Sequence, residues 1–476
     1  MKVFERLILF AILALPVILL GFLTLSPLPN EMIESLRVVR LAESQGRHAE
    51  ASRELRVVLT YQPDRLELWE RIAEHEFALE AYDQAIEDYE KARQAGLISD
   101  DGLYSLAEAY ERSGDLDRAA AAWRELTDRP KIAESFYPLL TANFRKMGDF
   151  DTALQAAEKW VLQARQEPEA KLTLGLLLSY RDPAEAIKAL TPVSISRLAE
   201  AKAATRLIEV LEVAAASPSR AYGLVLTGQR LGEMGHWDLA EQALLEAIAL
   251  EPDYAEAWAM LSESQQNQDR DGFPALQRAA QLSPASDYVR IAQVLYWRRQ
   301  NQPDVALSYL RTLAEKYPQD GKWQVEIGAI LAEGGDLIEA MRAYQRAIEI
   351  EPENASLWSA LAVFSAANGF DPESYTLPAM TRALELDPDG LATVAAAGWI
   401  YLALDRLDEA EQFLQQALAI DAAYPPAVLH LGQVYLGKKQ LNEAYPLISR
   451  AAQQTIDPQV AGQAQRVLEQ YFPSRP

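Results

Sequence analysis

The feature that most constrains the fold of this chain is an alanine that returns every 34 residues. The interval recurs in three separate stretches of the sequence: Ala51, Ala85, Ala119 and Ala153; Ala306 and Ala340; Ala410 and Ala444. A fixed period of about 20 to 50 residues is typical of repeat architectures, in which each unit contacts its neighbours along the chain. The sequence therefore predicts a stack of similar units.

The same pattern of residue types surrounds each of these alanines. A small or apolar pair precedes the alanine by twelve and thirteen positions, and an apolar or small residue follows it by seven. Between the pair and the alanine lies a turn of small and acidic residues, such as Ser113-Gly114-Asp115 or Gly334-Gly335-Asp336. Glycine can take the positive φ that ends a first helix, and aspartate can cap a second one. The turn is therefore predicted to join two helices in each unit.

These units resemble tetratricopeptide repeats. The resemblance rests on sets such as Trp69, Ile72, Ala73, Ala85, Tyr89 and Ala92, or Ile327, Gly328, Leu331, Ala340, Tyr344 and Ala347. It covers the chain from Met32 to about Pro458 and implies an all-α fold, a right-handed superhelical solenoid of antiparallel helix pairs. We predict units that begin near Met32, Leu66, Asp100, Glu134, Glu169, Ala221, Ala255, Asp287, Gly321, Ala355, Leu391 and Pro425.

The regular spacing fails in an alanine-rich helical stretch that fits no full repeat. We place a boundary between two sub-arrays there, because stacking should falter where the pattern is lost. The predicted organisation after the N-terminal segment is an N-terminal array at 32–194, an irregular helical connector at 195–220, a C-terminal array at 221–458 and a capping helix at 459–472.

Residues 7–25 form a run of nineteen residues without charge. A helix of that length rises roughly 28 Å, close to the hydrocarbon thickness of a bilayer. We predict one uncleaved transmembrane helix, and a cleaved signal peptide and a buried core helix are the alternatives. Lys2 and Arg6 precede the segment, which favours residues 1–6 in the cytoplasm and the array outside it. The expectation is a single-pass membrane protein.

Composition and motifs argue against several classes of function. With 45 Lys and Arg against 69 Asp and Glu, the formal charge of -24 opposes nucleic-acid binding. The four histidines are not spaced as metal ligands, and cysteine is absent. The run 432–439 imitates a phosphate-binding loop without its Ser or Thr, and 267–272 begins like a calcium loop but has Arg278 at the twelfth position. We expect no catalytic, cofactor-binding or metal site, and no enzyme.

In the resembled family, positions two, five, nine and twelve of each first helix line a concave groove. Carried over, these positions predict an acidic N-terminal arc at Glu67, Glu70, Glu74, Phe77, Asp101, Tyr104, Glu108 and Glu111. They predict an apolar C-terminal arc at Val363, Trp399, Leu402, Leu429, Gln433 and Leu436, and a reversal of sign at Arg145, Lys146, Arg298 and Arg299. The acidic arc suits a basic segment of a partner, and the apolar arc suits an apolar or helical segment. Alternatively, the charges vary freely and the apolar arc is covered by the terminal helix or by self-association.

The function that follows is a membrane-anchored scaffold that binds proteins or peptides in its groove and organises a membrane-associated complex. The alternative is an accessory regulator of a membrane enzyme, such as an envelope polysaccharide biosynthesis system.

Overall fold

The computed structural model describes residues 29–196, 200–454 and 457–473, and within these ranges all regular secondary structure is helical. The helices are α1 (Asn30–Ser44), α2 (His48–Tyr61), α3 (Leu68–Ala78), α4 (Tyr82–Gln94), α5 (Asp100–Arg112), α6 (Leu116–Asp128), α7 (Phe136–Lys146), α8 (Phe150–Gln163), α9 (Pro168–Leu178), α10 (Pro183–Ser194), α11 (Ala201–Ala216), α12 (Arg220–Glu233), α13 (Trp237–Leu250), α14 (Ala255–Gln266), α15 (Phe273–Leu282), α16 (Asp287–Arg299), α17 (Pro303–Lys316), α18 (Lys322–Glu333), α19 (Leu337–Ile350), α20 (Ala355–Ala367), α21 (Leu377–Leu386), α22 (Leu391–Ala403), α23 (Leu407–Ile420), α24 (Pro425–Gly437), α25 (Leu441–Gln453) and α26 (Pro458–Tyr471).

Consecutive helices pack as pairs, from α1 with α2 to α9 with α10 and from α12 with α13 to α24 with α25. Helix α11 packs between α10 and α12, and α26 packs against α24 and α25. The described residues therefore contain twelve helix pairs and two additional helices. The predicted all-α architecture of helix pairs is confirmed.

The turn inside a pair has the predicted geometry. Gly114 lies at φ +88°, and the side chain of Asp115 accepts a hydrogen bond of 3.1 Å from the backbone N–H of Arg118 at the start of α6. Asp336 accepts from the N–H of Glu339 at 3.2 Å in the same way. Each cap satisfies a donor that the first turn of a helix would otherwise leave without a partner.

Small residues determine how closely the two helices of a pair approach. The repeated alanines are completely buried. A Cβ atom on Gly398 of α22 would lie 2.5 Å from Cγ of Leu414 on α23, which is closer than real side chains come. The backbone of α22 therefore packs directly on the leucine, as in native close-packed interiors.

The unit that begins near Ala355 has extra residues, and they form a π-helical turn at Pro372–Thr376 before α21. The hydroxyl groups of Ser365 and Thr376 lie 2.9 Å apart in a hydrogen bond at this buried site. The π-helical turn runs directly into α21, so the helix that follows it is not interrupted.

The chain divides into two compact units, Met1–Ala170 and Lys171–Pro476. The point of division falls within α9, and the stretch 195–220 that was predicted to be a connector lies within the second unit. That stretch contains α11, whose face of Ala204, Leu207 and Leu211 is buried and joins α10 to α12. The bounds of the two predicted arrays and of the connector stay predictions.

The predicted cytoplasmic residues 1–6 and transmembrane segment 7–25 lie outside the described residues. Within the part that the structure describes, no helix combines the length and apolar character that a membrane crossing requires.

Candidate functional site

The first helices of the pairs share one surface in each compact unit. Among the described residues, the close approaches between alternate helices join first helices, such as α3 with α5, α12 with α14 and α22 with α24, apart from the approach of α24 to the terminal helix α26. Helices that approach each other on one side of a stack make that side the inner one. The first helices therefore line the inner surface of each unit, where the predicted groove residues were placed.

Helix α3 and the residue that precedes it contribute the first set of predicted groove residues. Glu67 pairs with Arg65 at 2.8 Å, and the ring of Phe77 packs edge-on against Tyr82. The Glu70 carboxylate accepts hydrogen bonds from the N–H and hydroxyl of Ser99, so it organises the start of α5. Three of the four predicted residues on this helix thus contact neighbouring residues of the chain itself.

The fourth residue on α3, Glu74, has no ion pair among the described residues. It is accessible to solvent, but partial removal from water raises the pKa of its carboxyl, the Glu70 and Asp101 carboxylates raise it further, and Arg71 opposes them. A raised pKa means that the charged form is unfavourable in the isolated molecule. A cation from outside would relieve this cost.

Helix α5 continues the acidic surface. Asp101 is exposed and Glu108 is half-buried, and neither has an ion pair in the described part of the chain. Burial raises the pKa of Glu108, the nearby Arg112 opposes this effect, and Glu111 adds to it. Glu111 itself pairs with Lys146 of α7, so the predicted reversal of sign at Lys146 neutralises part of the acidic arc.

Tyr104 provides an aromatic wall beside these carboxylates. Its ring centroid lies 5.6 Å from that of Phe136, and its hydroxyl accepts a hydrogen bond of 3.3 Å from Asn143. Burial raises the pKa of Tyr104, and Glu108 and Glu111 add to the effect. The structure thus brings Glu74, Asp101, Tyr104 and Glu108 to one inner surface in the first unit.

The predicted apolar arc is only partly open. Val363 and Trp399 are half-buried against the core cluster around α20 and α22, and Leu402 packs against the cluster around α23. Leu429 departs from the prediction, because it is completely buried with Val460 of the final helix. A partner cannot contact Leu429 while α26 is in place.

At the end of this arc, Gln433 is half-exposed and Leu436 packs against the cluster that α26 completes. The neighbouring His430 is largely buried, and burial lowers its pKa to about 4. Its Nδ1 atom has no hydrogen-bond partner. The final helix therefore covers part of the surface that the sequence assigned to a partner.

The structure also shows a polar site that the sequence analysis missed. Two cavities on the inner surface of the second unit, of about 130 and 310 Å³, both have Glu263 in their walls. Arg298 and Arg299, where the sequence predicted a change of sign, line the larger cavity. Glu263 occupies position nine of its unit, so the rule that selected Glu74 and Glu108 would have selected Glu263 as well.

No group of three or more His, Cys, Asp or Glu side chains in the described ranges is arranged to hold a metal ion. The segment 267–272 forms a turn in which Arg270 pairs with Glu241 of α13. The arrangement as a whole offers charged, aromatic and apolar contacts along a surface, which is suited to holding a polypeptide.

Stacked helix pairs with a shared inner surface define a helical-repeat protein. Family models of the tetratricopeptide repeat match residues 38–97, 101–131, 225–287, 288–320, 328–369 and 407–466. Together these matches cover more than half of the chain. The chain belongs to the tetratricopeptide-repeat proteins, an all-helical class whose members mediate contacts between proteins.

Solved structures with a similar arrangement of helices are distant in sequence. Yeast Tom70 is 15% identical, with a TM-score of 0.43 over 94% of this chain and 97% of Tom70. Cut9 in the APC/C hetero-tetramer Cut9–Hcn1 is 15% identical, with a TM-score of 0.37 over 91% of this chain and 96% of that chain. MamA is 16% identical, with a TM-score of 0.27 over 37% of this chain and 96% of MamA. No curated protein matches the sequence significantly.

Proposed function

We propose that this chain is a membrane-anchored scaffold that holds protein partners along the inner surface of its helix pairs. Residues 7–25 would form the anchor, and the repeats would lie outside the cytoplasm. The first unit takes a basic segment of a partner, and the inner surface near α22 and α24 takes an apolar or helical one. Fixing such a surface at a bilayer would organise a membrane-associated complex.

The observation that carries this proposal is the set of unpaired carboxylates on α3 and α5. Glu74, Asp101 and Glu108 lack ion pairs among the described residues, while many other carboxylates of the first unit are paired with Arg or Lys. Lysine or arginine side chains of a partner would satisfy them and be attracted over a distance set by the ionic strength.

Binding of a lysine- and arginine-rich peptide to the full-length chain tests the acidic arc. Fluorescence anisotropy should show binding that weakens with salt, and no comparable binding of a glutamate-rich peptide of equal length. The triple variant Glu74→Gln/Asp101→Asn/Glu108→Gln should bind the basic peptide about tenfold more weakly, a loss of about 1.4 kcal/mol.

A matched control removes three charges elsewhere in the same unit. Asp83, Asp117 and Glu158 are exposed on the second helices α4, α6 and α8. The variant Asp83→Asn/Asp117→Asn/Glu158→Gln should bind like the parent. Equal weakening in both triple variants would mean that net charge alone controls binding of the basic peptide. That result would contradict a specific binding site on the acidic arc.

The apolar arc is tested with an amphipathic helical peptide. Gln433 is half-exposed on α24, so Gln433→Arg blocks the surface without removing core volume. The substitution should weaken binding of the helical peptide, whereas Gln416→Arg on the exposed side of α23 should not. No difference between the two variants would remove the apolar arc from the proposal.

Anchoring and orientation are tested separately. A reporter that is active only in the cytoplasm, fused after Pro476, should give no signal. The variant Leu13→Arg/Leu19→Arg should release the chain from membranes, because each charge at the centre of a span costs about 3 kcal/mol. A strong reporter signal would place the repeats in the cytoplasm, and retention of the variant in membranes would contradict the anchor.

A further inference from the structure

The two cavities that meet at Glu263 differ in character. The smaller one lies among α12, α13, α14 and α16, and no Lys, Arg or His side chain lines it. Its volume of about 130 Å³ is many times the space that one water molecule needs. The chain thus leaves a recess on its inner surface that is large enough for part of a side chain.

Apolar and aromatic side chains share the lining of this recess with three polar ones, Gln229, Glu233 and Glu263. Leu244 and Met260 line it together with the rings of Trp237 and Tyr288. Trp237 lies flat on α12, where a Cβ atom on Gly232 would come within 2.5 Å of its Cζ3 atom. The backbone oxygen of Trp237 also accepts a hydrogen bond of 2.7 Å from the hydroxyl of Ser264. The aromatic wall is therefore held in place before any ligand arrives.

Two carboxylates complete the lining, and they differ in their partners. Glu233 pairs with Arg230 at 2.6 Å and accepts a hydrogen bond of 3.1 Å from Gln229. Glu263 has no hydrogen bond or ion pair through its carboxylate among the described residues. Burial raises the pKa of Glu263, Glu233 raises it further, and Arg299 opposes them. An unpaired carboxylate in such a setting destabilises the isolated chain.

Nearby cations already have other contacts. Arg298 forms a two-point ion pair with Glu333, and Arg299 donates to the side-chain oxygen of Asn267 at 3.1 Å. Both arginines line the larger cavity and neither lines the smaller one. The smaller recess therefore presents an acceptor, two aromatic faces and an apolar floor to whatever enters it.

We propose that this recess binds the side chain of a lysine or arginine from a polypeptide partner. The methylene stem packs against Leu244 and Met260, and the cationic head pairs with Glu263 beside the faces of Trp237 and Tyr288. Lysine and arginine side chains can bury their methylene stems against apolar surface while the charged end stays in a polar or charged environment. The faces of aromatic rings also attract cations. This inference rests on the proposed function, because it assigns a lysine or arginine of the bound partner to one position on the inner surface.

Methyl NMR of the full-length chain tests the recess directly. The chain has seven methionines, so its ¹³C-methyl spectrum is simple, and Met260→Leu identifies the Met260 signal. The probes are N-acetyl-lysine methylamide and N-acetyl-arginine methylamide, with N-acetyl-norleucine methylamide as the uncharged control and N-acetyl-glutamate methylamide as the anionic one. The basic probes should shift the Met260 signal saturably, with a Kd of about millimolar.

Two variants make the result specific to the carboxylate. Glu263→Gln keeps the shape of the side chain and should weaken the basic probes by about tenfold, since charge-assisted hydrogen bonds to an ionised group are the strong ones. Glu349→Gln, on the exposed face of α19, should leave their binding unchanged. An unchanged thermal unfolding curve of Glu349→Gln and a folded spectrum of Glu263→Gln confirm that both chains are intact.

Any of three results would overturn the inference: no shift with the basic probes, an equal shift with the norleucine or glutamate probe, or undiminished binding to Glu263→Gln. Failure here is distinct from failure of the scaffold proposal. If the basic peptide still binds the acidic arc of the first unit while Met260 does not respond, only the recess is wrong. If Met260 responds and no peptide binds the arcs, the recess stands without the scaffold.

Discussion

Glu263 shows how a single residue can indicate binding through its cost to the folded chain. Its raised pKa means that the folded state takes up a proton more readily than the unfolded state in the pH range just above the ordinary glutamate value. The contribution of Glu263 to stability is therefore present below pH 4.5 and is lost as the pH rises through the folded-state pKa. Without a ligand, the ionised side chain weakens the fold at neutral pH.

Glu263→Gln should consequently raise the Tm of the ligand-free chain at pH 7 and leave it unchanged near pH 4, where the parent carboxyl is protonated. Thermal unfolding followed by circular dichroism at the two pH values measures this. A lower Tm for the variant at pH 7 would mean that the ionised carboxylate stabilises the fold, contrary to the structure.

His430 titrates in the opposite sense. Its pKa of about 4 in the folded chain lies below the ordinary histidine value of 6.5, so the unfolded state binds more protons between those values. Its contribution to stability is complete above about pH 6.5 and falls as the pH drops towards 4, by on the order of 3 kcal/mol in total.

The Tm of His430→Leu should therefore fall less between pH 7 and pH 5 than the Tm of the parent chain. The substitution also removes the Nδ1 atom that has no partner, so the Tm at pH 7 should not fall by much. Carboxylates titrate equally in both chains and cancel in the comparison. Identical losses in parent and variant would show that His430 is not held neutral by burial.

At the scale of elements, the turns between paired helices differ in the residue type that takes the positive φ. Substitutions at these positions can measure what the difference costs in stability. Gly114, Gly148 and Gly335 take the positive φ that the turn requires, whereas other pairs place a residue with a side chain there. Glu80 has φ 60° and Lys439 has φ 61° in such positions. A residue with a Cβ atom pays about 1 kcal/mol for this conformation.

Glu80→Gly should accordingly stabilise the first unit by up to about 1 kcal/mol, and Gly114→Ala should destabilise it by about 1 kcal/mol. A Cβ on Gly114 would meet no atom within 4 Å, so backbone conformation alone causes its cost. Urea unfolding of the two variants and the parent measures both changes. Shifts of the same sign would contradict the assignment of φ to these turns.

The same turns mark how far the sequence could predict the structure. Gly114-Asp115 predicted both the end of α5 and the cap of α6, because a helix end and a helix cap depend only on residues that are close in the sequence. The full burial of Leu429 was not predictable from its repeat position, since it depends on where α26 lies. The recess at Glu263 is formed by four helices together, so no single repeat position predicts it. The alanine-rich α11 packs against its neighbours through a buried face, and the repeat pattern does not predict that packing because the pattern is absent there.

At the scale of the whole molecule, the formal net charge is -24. Each of the two units places part of its acidic surface differently. In the first unit, many carboxylates lie in ion pairs, whereas Glu74, Asp101 and Glu108 lie unpaired on first helices. In the second unit, a partly covered apolar surface lies on first helices, and an acidic and aromatic recess lies between three first helices and the second helix α13. The central claim is that partners bind along these first helices.

Hydrogen–deuterium exchange of the full-length chain, with and without the lysine- and arginine-rich peptide, tests that claim most directly. Binding to the inner surface should slow exchange in α3 and α5 while α4 and α6 keep their rates. Protection confined to α4 and α6, or spread evenly over both helices of each pair, would contradict the account.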